Sequence, residues 1–350
     1  MTDAVLNKLA GEIAEVIQDY RSDEGVRITS SRVLRWSSQF GAENQLFILQ
    51  EMKRIFDTRY ISKAEAKQFL KAVVERLTKD YGYDTPQSFL ANSVFLDLQE
   101  EGKSQKDLLK LLDEVIQSEY EVALSDCGKQ SHENFVYIDD VLCTANTIFY
   151  DLKGWLEYGS SGETMLNKVS KDKSNIIFVF IFTHRLNMDK LSWRFHFANL
   201  SFPYKTYYVS QVDNDYRDVN SKLDFLMPIR EGQSQEVLDY FARLNTGEYG
   251  VFREVGRPLT EEFFSSPDNR RRFENILLAK GLEILNSVSV QKENVRPLGF
   301  TLPSQKNFGF GTLCFTWRNI ANNTPLVFWY SSPIWIPLFE KRASGITLVW

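Results

Sequence analysis

The sequence predicts an α/β protein with a mainly parallel sheet and helices on both faces, preceded by a helical N-terminal region and followed by a β-rich or irregular C-terminal appendage. Three observations support this fold class. Apolar residues recur at helical spacing through the first ~85 residues. Short apolar runs then alternate with amphipathic segments, which is typical of βαβ units. The last ~60 residues are richer in Gly, Asn, Pro and aromatic side chains and show few helical patterns.

The expected domains are a helical region at 1–88, an α/β core at 89–288 and an aromatic-rich appendage at 289–350. In the first region, an apolar stripe between Val5 and Ile17 indicates a helix, and the spacing of Ser62 and Glu65 is that of a capping box. Strand candidates in the core are 94–99, the apolar run that ends at Ile138, 176–182 and 206–211. Helix candidates are 106–117, 147–158, 235–244 and 269–285.

Composition narrows the class of protein. The formal net charge of −5 argues against a broad basic surface for nucleic acid. The longest apolar run is too short to span a bilayer, so no membrane partner is expected. Three widely spaced cysteines, Cys127, Cys143 and Cys314, form neither a zinc pattern nor a disulfide framework. These features favour a reduced, cytoplasmic protein without a protein-bound metal centre.

Polar residues follow three predicted strands, where ligands bind in open parallel sheets. The first set is 97–105, in which Lys103 and Ser104 precede a helix. The second is 139–147, where Asp139 and Asp140 are followed by a loop of small and polar residues and then by a helix. The third is 183–185. Paired carboxylates beside a helix N-terminus suit a phosphorylated sugar, because the carboxylates accept from sugar hydroxyls and the backbone N–H groups bind phosphate.

The segment VYIDDVLCTANT resembles the phosphoribosyl-pyrophosphate motif of type I phosphoribosyltransferases. In that motif a hydrophobic strand ends in two acidic and two apolar residues and leads into a Thr-Gly-x-Thr-like loop. Asp139 and Asp140 match the acidic pair, and 144–147 match the loop. The departure is Ala145, where the family most often has Gly. Alanine restricts φ, so we expect the loop to accommodate it only if residue 145 avoids the left-handed region.

This resemblance implies a role for each residue of the site. Asp139 and Asp140 contact the ribose hydroxyls and are the catalytic candidates. The ligand-binding candidates on the phosphate side are Cys143, Thr144, Ala145, Asn146 and Thr147. Lys103, Ser104 and Arg185 are candidates for the pyrophosphate side. Mg²⁺ is expected to bind through the pyrophosphate ligand and water rather than through a protein cage.

A second resemblance covers most of the chain. The segments RWSSQF, FSSPDNRRRFE, RPLGF and NIANNTPLVFWYSSPIWIPLF resemble a bacterial phosphoribosyltransferase-like family found in conflict and phage-defence loci, including retron-type systems. It implies an effector that binds phosphoribosyl pyrophosphate or a nucleotide. It also implies a defence complex with a reverse transcriptase and its non-coding RNA–DNA, or with an ATPase. Transfer or cleavage at the ribose C1 is one hypothesis, and a catalytically inactive nucleotide-sensing or structural subunit is the other.

Several other residues have both a functional and a structural interpretation. His184 follows a strand and is a candidate base, but a lone histidine there is more often a structural hydrogen-bonding group. The arginines at 270–272 are interpreted as a solvated helix face, with contact to nucleic acid or an acidic partner as the alternative. The aromatic residues of the tail, such as Trp329 and Trp335, are expected to pack in a core rather than to stack on bases.

Overall fold

The computed structural model of the chain describes residues 2–160, 163–244, 250–289, 292–302 and 304–342. These residues form two compact units. The first unit combines Met1–Ser62 with Val212–Trp350, and the second is Lys63–Gln211. Among the described helices, none is both long and apolar enough to cross a membrane.

Three helices and a short strand begin the first unit. They are α1 (Thr2–Val16), α2 (Ser30–Ser38), α3 (Ala42–Arg59) and β1 (Tyr60–Ile61). Thr29 caps α2, because its hydroxyl oxygen accepts from the backbone N–H of Arg32 at 3.2 Å. Apolar positions of all three helices are buried in one core, including Ile13, Trp36 and Ile55. The helical spacing of the sequence therefore marks the buried faces here.

The second unit contains the main sheet. Its elements in chain order are α4 (Lys63–Asp80), α5 (Pro86–Ala91), β2 (Ser93–Phe95), α6 (Ser104–Tyr120), β3 (Asn134–Leu142), α7 (Asn146–Glu157), β4 (Gly159–Ser160), β5 (Glu163–Thr164), α8 (Met165–Asp172), β6 (Asn175–His184), α9 (Arg185–Phe197) and β7 (Tyr204–Val212). The sheet order is β2-β3-β6-β7. Strand β3 pairs in parallel with both β2 and β6, with Val94 opposite Phe135 and Ile138 opposite Val179. The α/β class and the parallel pairing that the sequence predicts are confirmed for these strands.

Side chains of β3 and β6 alternate between the two faces of the sheet. One face carries Tyr137 and Phe178, which pack with apolar residues of α7 and α9 such as Leu152 and Phe195. Helix α6 also contacts β3. The sequence predicts β3, α7 and β6 close to their observed bounds, but it misses α8 and α9. This packing places the start of α7 directly beyond the end of β3.

The remaining elements complete the first unit. They are α10 (Gln235–Arg243), α11 (Pro267–Asn286), β8 (Phe315–Thr316) and α12 (Leu326–Trp329). Strand β8 pairs in parallel with β1, Tyr60 lying opposite Phe315. The described part of the tail is otherwise mostly irregular in backbone.

Aromatic side chains of the tail are buried, as the sequence predicts. The indole N–H groups of Trp36 and Trp335 both donate to the backbone carbonyl of Val327 at 2.9 Å. Trp36 also stacks on Phe328, with 5.5 Å between ring centroids. The tail thus shares one core with α1–α3, and the two compact units differ from the three consecutive segments that the sequence predicts. Helical periodicity identifies an apolar face, but it does not identify the distant segment that covers that face.

Of the arginines at 270–272, Arg271 and Arg272 are exposed, as expected of a solvated helix face, whereas Arg270 is not. Arg270 is almost fully buried on α11, where it pairs with Glu261 and donates to the carbonyl of Leu223 at 2.7 Å. Arg271 is exposed, and Arg272 lies over the ring of Phe47, 4.2 Å from its centroid. The interpretation of Arg270 is wrong because Glu261 and Glu274 lie beside its guanidinium and compensate its charge in the buried interior.

Candidate functional site

The carboxyl ends of β2, β3 and β6 lie at the same edge of the sheet, because the three strands are parallel and adjacent. The set at 97–105, which includes the first two residues of α6, follows β2, the loop at 143–145 follows β3, and α9 begins directly after β6. Strand β3 is between the other two, so its acidic end is the centre of this edge. Leu142, the last residue of β3, lies opposite Thr183 of β6.

Asp139 lies near the end of β3 and is buried. Its Oδ1 accepts from the backbone N–H of Asp140 at 2.8 Å, and its Oδ2 accepts from Nε2 of Gln99 at 3.0 Å. The side chain of Ser104 also hydrogen-bonds this carboxyl. The structure therefore brings Ser104 and Asp139 together, although they are far apart in sequence.

A second carboxyl group, Asp151 of α7, joins the same network. The hydroxyl of Tyr137 donates to Oδ2 of Asp151 at 2.8 Å, and Nε2 of Gln99 lies 2.8 Å from that hydroxyl oxygen. Gln99 is held by Gln105, whose Oε1 accepts from the backbone N–H of Gln99 at 3.0 Å. Exposed Lys103 stabilises the charge of Asp151 rather than contacting the acidic pair directly.

Burial, together with the neighbouring charge of Asp140, raises the pKa of Asp139 to about 7. Burial also raises the pKa of Asp151 and that of Tyr137. Hydrogen bonds from Ser104 and Gln99 favour the charged form of Asp139 but do not offset its loss of hydration. The folded protein therefore favours the protonated form of Asp139 more than water does.

Asp140 is buried as well, but it has a different environment. Its Oδ1 accepts from the backbone N–H of Val141 at 2.7 Å. Because successive side chains of a strand alternate, Asp139 shares a face of β3 with Tyr137, whereas Asp140 shares the other face with Ile138. The acidic pair consequently presents its two carboxylates on opposite sides of the strand end.

The loop after β3 forms a tight turn into α7. Cys143 and Ala145 are buried, Thr144 and Asn146 are half-buried, and Thr147 is exposed. The hydroxyl oxygen of Thr144 lies 3.4 Å from the backbone N of Asn146. Helix α7 begins at Asn146 and spans twelve residues, so its N-terminus directs backbone N–H groups and a partial positive charge toward this loop.

Ala145 has φ 59° and ψ 8°, which lies in the left-handed region. The condition under which alanine was expected to be accommodated, that residue 145 avoids this region, is therefore not met. A residue with a β-carbon is less stable there than glycine by roughly 1–2 kcal/mol. The turn from β3 into α7 requires this conformation, and the chain adopts it although residue 145 is not the glycine that would favour it.

We expect Ala145→Gly to change the free energy of unfolding by less than about 1 kcal/mol, because relief of strain opposes the loss of a buried methyl group. Ala145→Val should be destabilising by about 2 kcal/mol or more, since a β-branched residue tolerates positive φ poorly. Urea unfolding of both variants followed by circular dichroism measures the difference. Equal stability of the two variants would contradict this account of the turn.

The third set of residues lies at the end of β6. His184 is fully buried, and its Nδ1 is 2.8 Å from the carbonyl oxygen of Leu142. It connects the ends of β3 and β6, which agrees with its interpretation as a structural hydrogen-bonding group. Arg185 is the first residue of α9 and is half-buried.

Sequence reasoning included Gln99 and Gln105 in the set 97–105 without giving them a role, and it missed Tyr137 and Asp151. Only Tyr137 had a usable signal, because it lies two positions before Asp139 and so shares its strand face. A neutral amide such as Gln99 has no distinctive spacing. Arg194, on the unpredicted helix α9, was also missed; its guanidinium donates to the side-chain oxygen of Asn146.

The fold and this edge define a mixed α/β protein in which carboxyl, amide and hydroxyl groups meet around the carboxyl-terminal part of the parallel strand β3. The PRTase-CE family model matches residues 33–341, which is most of the chain. The chain therefore belongs to the PRTase-CE family, a phosphoribosyltransferase-like family. Comparisons with curated proteins and with solved structures found no match.

Proposed function

We propose that the protein binds phosphoribosyl pyrophosphate or a nucleotide at 139–147 and transfers or cleaves at the ribose C1, as the effector of a bacterial antiphage defence system of the retron type. The observation that supports the site is the acidic end of β3, which leads through the left-handed turn at Ala145 into the N-terminus of α7. Family membership supports the phosphoribosyltransferase-like chemistry. The defence role is proposed from sequence resemblance.

In this proposal the carboxylates of Asp139 and Asp140 accept from the ribose hydroxyls. The backbone N–H groups of 143–147, with the hydroxyls of Thr144 and Thr147, bind the 5-phosphate. The pyrophosphate is bound by Lys103, Ser104 and Arg185. By holding the sugar and the pyrophosphate in a fixed orientation, these residues favour loosening of the bond between C1 and the pyrophosphate.

Mg²⁺ fits this set of residues only as an ion carried by the ligand. Within the described ranges, no group of three or more His, Cys, Asp or Glu side chains could hold a metal. Magnesium keeps several waters and binds readily through substrate phosphates. When bound it supplies positive charge to the departing pyrophosphate.

Turnover tests the proposal directly. Labelled phosphoribosyl pyrophosphate is incubated with Mg²⁺, the protein, its defence partners and candidate acceptors, and pyrophosphate release is measured. Asp140→Asn and Asp139→Asn should each lower the rate by about tenfold or more, because each removes a charge-assisted hydrogen bond to the sugar. Asp172→Asn, at an exposed position that ends α8, is the matched control and should leave the rate unchanged. Unchanged turnover in both site variants would remove these residues from the mechanism.

The second candidate function is a nucleotide-sensing or structural subunit without turnover. The engagement of Asp139 by Gln99, Ser104 and the N–H of Asp140 favours it, because those groups occupy the carboxyl that sugar hydroxyls would need. His184, the candidate base, is likewise bonded to Leu142. A sensor predicts nucleotide binding by calorimetry with no product. A structural subunit predicts that Asp139→Ala leaves phage protection intact.

The proposed context is a cytoplasmic complex with a reverse transcriptase and its non-coding RNA–DNA, or with an ATPase. Genes for such partners beside the gene for this protein would support the defence role. Location within a purine or pyrimidine operon would instead favour nucleotide salvage. Purification of the protein with its neighbours tests the complex itself.

A further inference from the structure

Arg194 of α9 is held beside the loop at 143–147 by contacts on two sides. Its guanidinium carbon lies 3.9 Å from the ring centroid of Phe149 and 5.3 Å from that of Tyr150. One terminal nitrogen, Nη1, donates to the side-chain oxygen of Asn146. Phe149, Tyr150 and Asn146 all belong to the first turns of α7, so this cation is fixed at the helix N-terminus.

The charge of Arg194 has no carboxylate partner among the described residues. Burial lowers the pKa of Arg194, and the group that opposes this effect is the hydroxyl of Tyr150. Arg253 and Arg270, by contrast, pair with Glu274 and Glu261 in the first unit. A partly buried cation is unfavourable unless an anion compensates it, and aromatic faces compensate it only in part.

An anion from solution would complete the arrangement. The N-terminus of α7 offers backbone N–H groups and a partial positive charge, while a guanidinium carries five N–H donors in a plane that matches phosphate oxygens. Asn146 uses only one of the terminal nitrogens of Arg194. The hydroxyl of Tyr150 engages a further donor, and because a guanidinium carries five N–H donors, some remain for a phosphate bound at the same loop.

We infer that Arg194 binds the 5-phosphate at the loop 143–147, and that it makes this site specific for sugars carrying a phosphate monoester over unphosphorylated ones. This inference rests on the proposed function, because it assumes that the loop receives the phosphate of a phosphorylated sugar. It adds Arg194, which lies outside the strand–loop–helix motif, and pairs the charge of Arg194 with the 5-phosphate of the ligand.

Calorimetry with ribose 5-phosphate, ribose and magnesium pyrophosphate tests the assignment on the full chain. Arg194→Met should weaken ribose 5-phosphate binding by about tenfold or more, as expected for loss of a charge-assisted hydrogen bond. Arg194→Lys should lose less, since it keeps the charge but not the planar donors. Pyrophosphate binding should be unchanged in both variants. Arg76→Met, which removes an exposed arginine of α4, is the control and should bind as the wild type does.

A pH series separates a phosphate contact from a structural role. The second pKa of a phosphate monoester is about 6. Wild-type affinity for ribose 5-phosphate should therefore rise from pH 5 to pH 7, and this rise should be smaller in Arg194→Met. If Arg194 had a purely structural role, Arg194→Met would weaken the binding of pyrophosphate as much as that of ribose 5-phosphate. The affinity for ribose 5-phosphate would then rise with pH equally in the wild type and in the variant. This result would overturn the inference.

The remaining outcomes are also decisive. Equal ribose 5-phosphate affinity in wild type and Arg194→Met overturns the role of Arg194 and leaves the proposed function standing. If the wild-type protein binds none of ribose 5-phosphate, phosphoribosyl pyrophosphate and nucleotides, the proposed function fails and the inference fails with it. Thermal unfolding of each variant establishes that the compared proteins are folded.

Discussion

Asp139→Asn should raise the free energy of unfolding of the ligand-free protein at pH 8, although it damages the proposed site. Burial and the charge of Asp140 raise the pKa of Asp139 to about 7, well above its ordinary value. The folded protein therefore holds a proton there more tightly than the unfolded chain does. The stability that this proton contributes is full below about pH 4 and is lost as the pH rises through about 7.

The raised pKa sets a ceiling of about 4 kcal/mol for the gain at pH 8. An asparagine amide facing the donor of Gln99 removes part of that gain, so we expect about 1–3 kcal/mol. Urea unfolding of wild type and variant between pH 4 and pH 8 measures the difference, which should grow with pH. The control Asp172→Asn should show no such trend. A difference that does not depend on pH would contradict the assignment of the proton to Asp139.

Glu274→Ala should destabilise the first unit by about 3–5 kcal/mol, the range found when a buried ion pair loses one partner. Glu274 is fully buried on α11. Its carboxylate accepts from Nη2 of Arg253 at 2.8 Å and from the backbone N–H of Met227 at 3.2 Å, and Arg270 lies 3.7 Å away. Removing the carboxylate leaves the charge of Arg253 buried without its partner.

Glu254→Ala provides the matched control for this loss. Glu254 is 86% exposed and lies 3.9 Å from Arg257, so its removal should change stability by no more than about 0.5 kcal/mol. Thermal and urea unfolding of both variants measure the effects. Similar losses in the two variants would show that the network around Glu274 is not the source of stability proposed here.

The strand–loop–helix at 134–157 could be predicted because its signals are local. An apolar run predicts β3, small and polar residues predict the turn, and apolar residues at helical spacing predict α7. Helix α9 was missed because Leu186, Leu191 and Phe195 are its buried apolar positions amid many polar residues, and their spacing gives a weak pattern. Its identity as a helix depends on packing against β6 and α7.

The three sets of site residues were predicted from the ends of the strands, but most of the side chains that connect them were not. Asp139 and the loop after it stand together in the sequence, whereas Gln99, Asp151 and Arg194 reach the same edge from three other elements. Only the parallel register of the strands determines which loops meet. The conformation of Ala145 was also unpredictable from composition, since the path of the chain into α7 requires a left-handed residue whichever amino acid is present.

The pairing of β1 with β8 has a consequence for synthesis of the chain. Tyr60 emerges from the ribosome about 250 residues before its partner Phe315, and the carbonyl of Val327 that receives two indole N–H groups comes later still. The segment from Lys63 to Gln211 is complete long before that point. We therefore expect the second unit, which contains the main sheet, to fold while the apolar faces of α1–α3 are still uncovered. Translation arrested before the tail should then leave an aggregation-prone intermediate whose sheet has already formed.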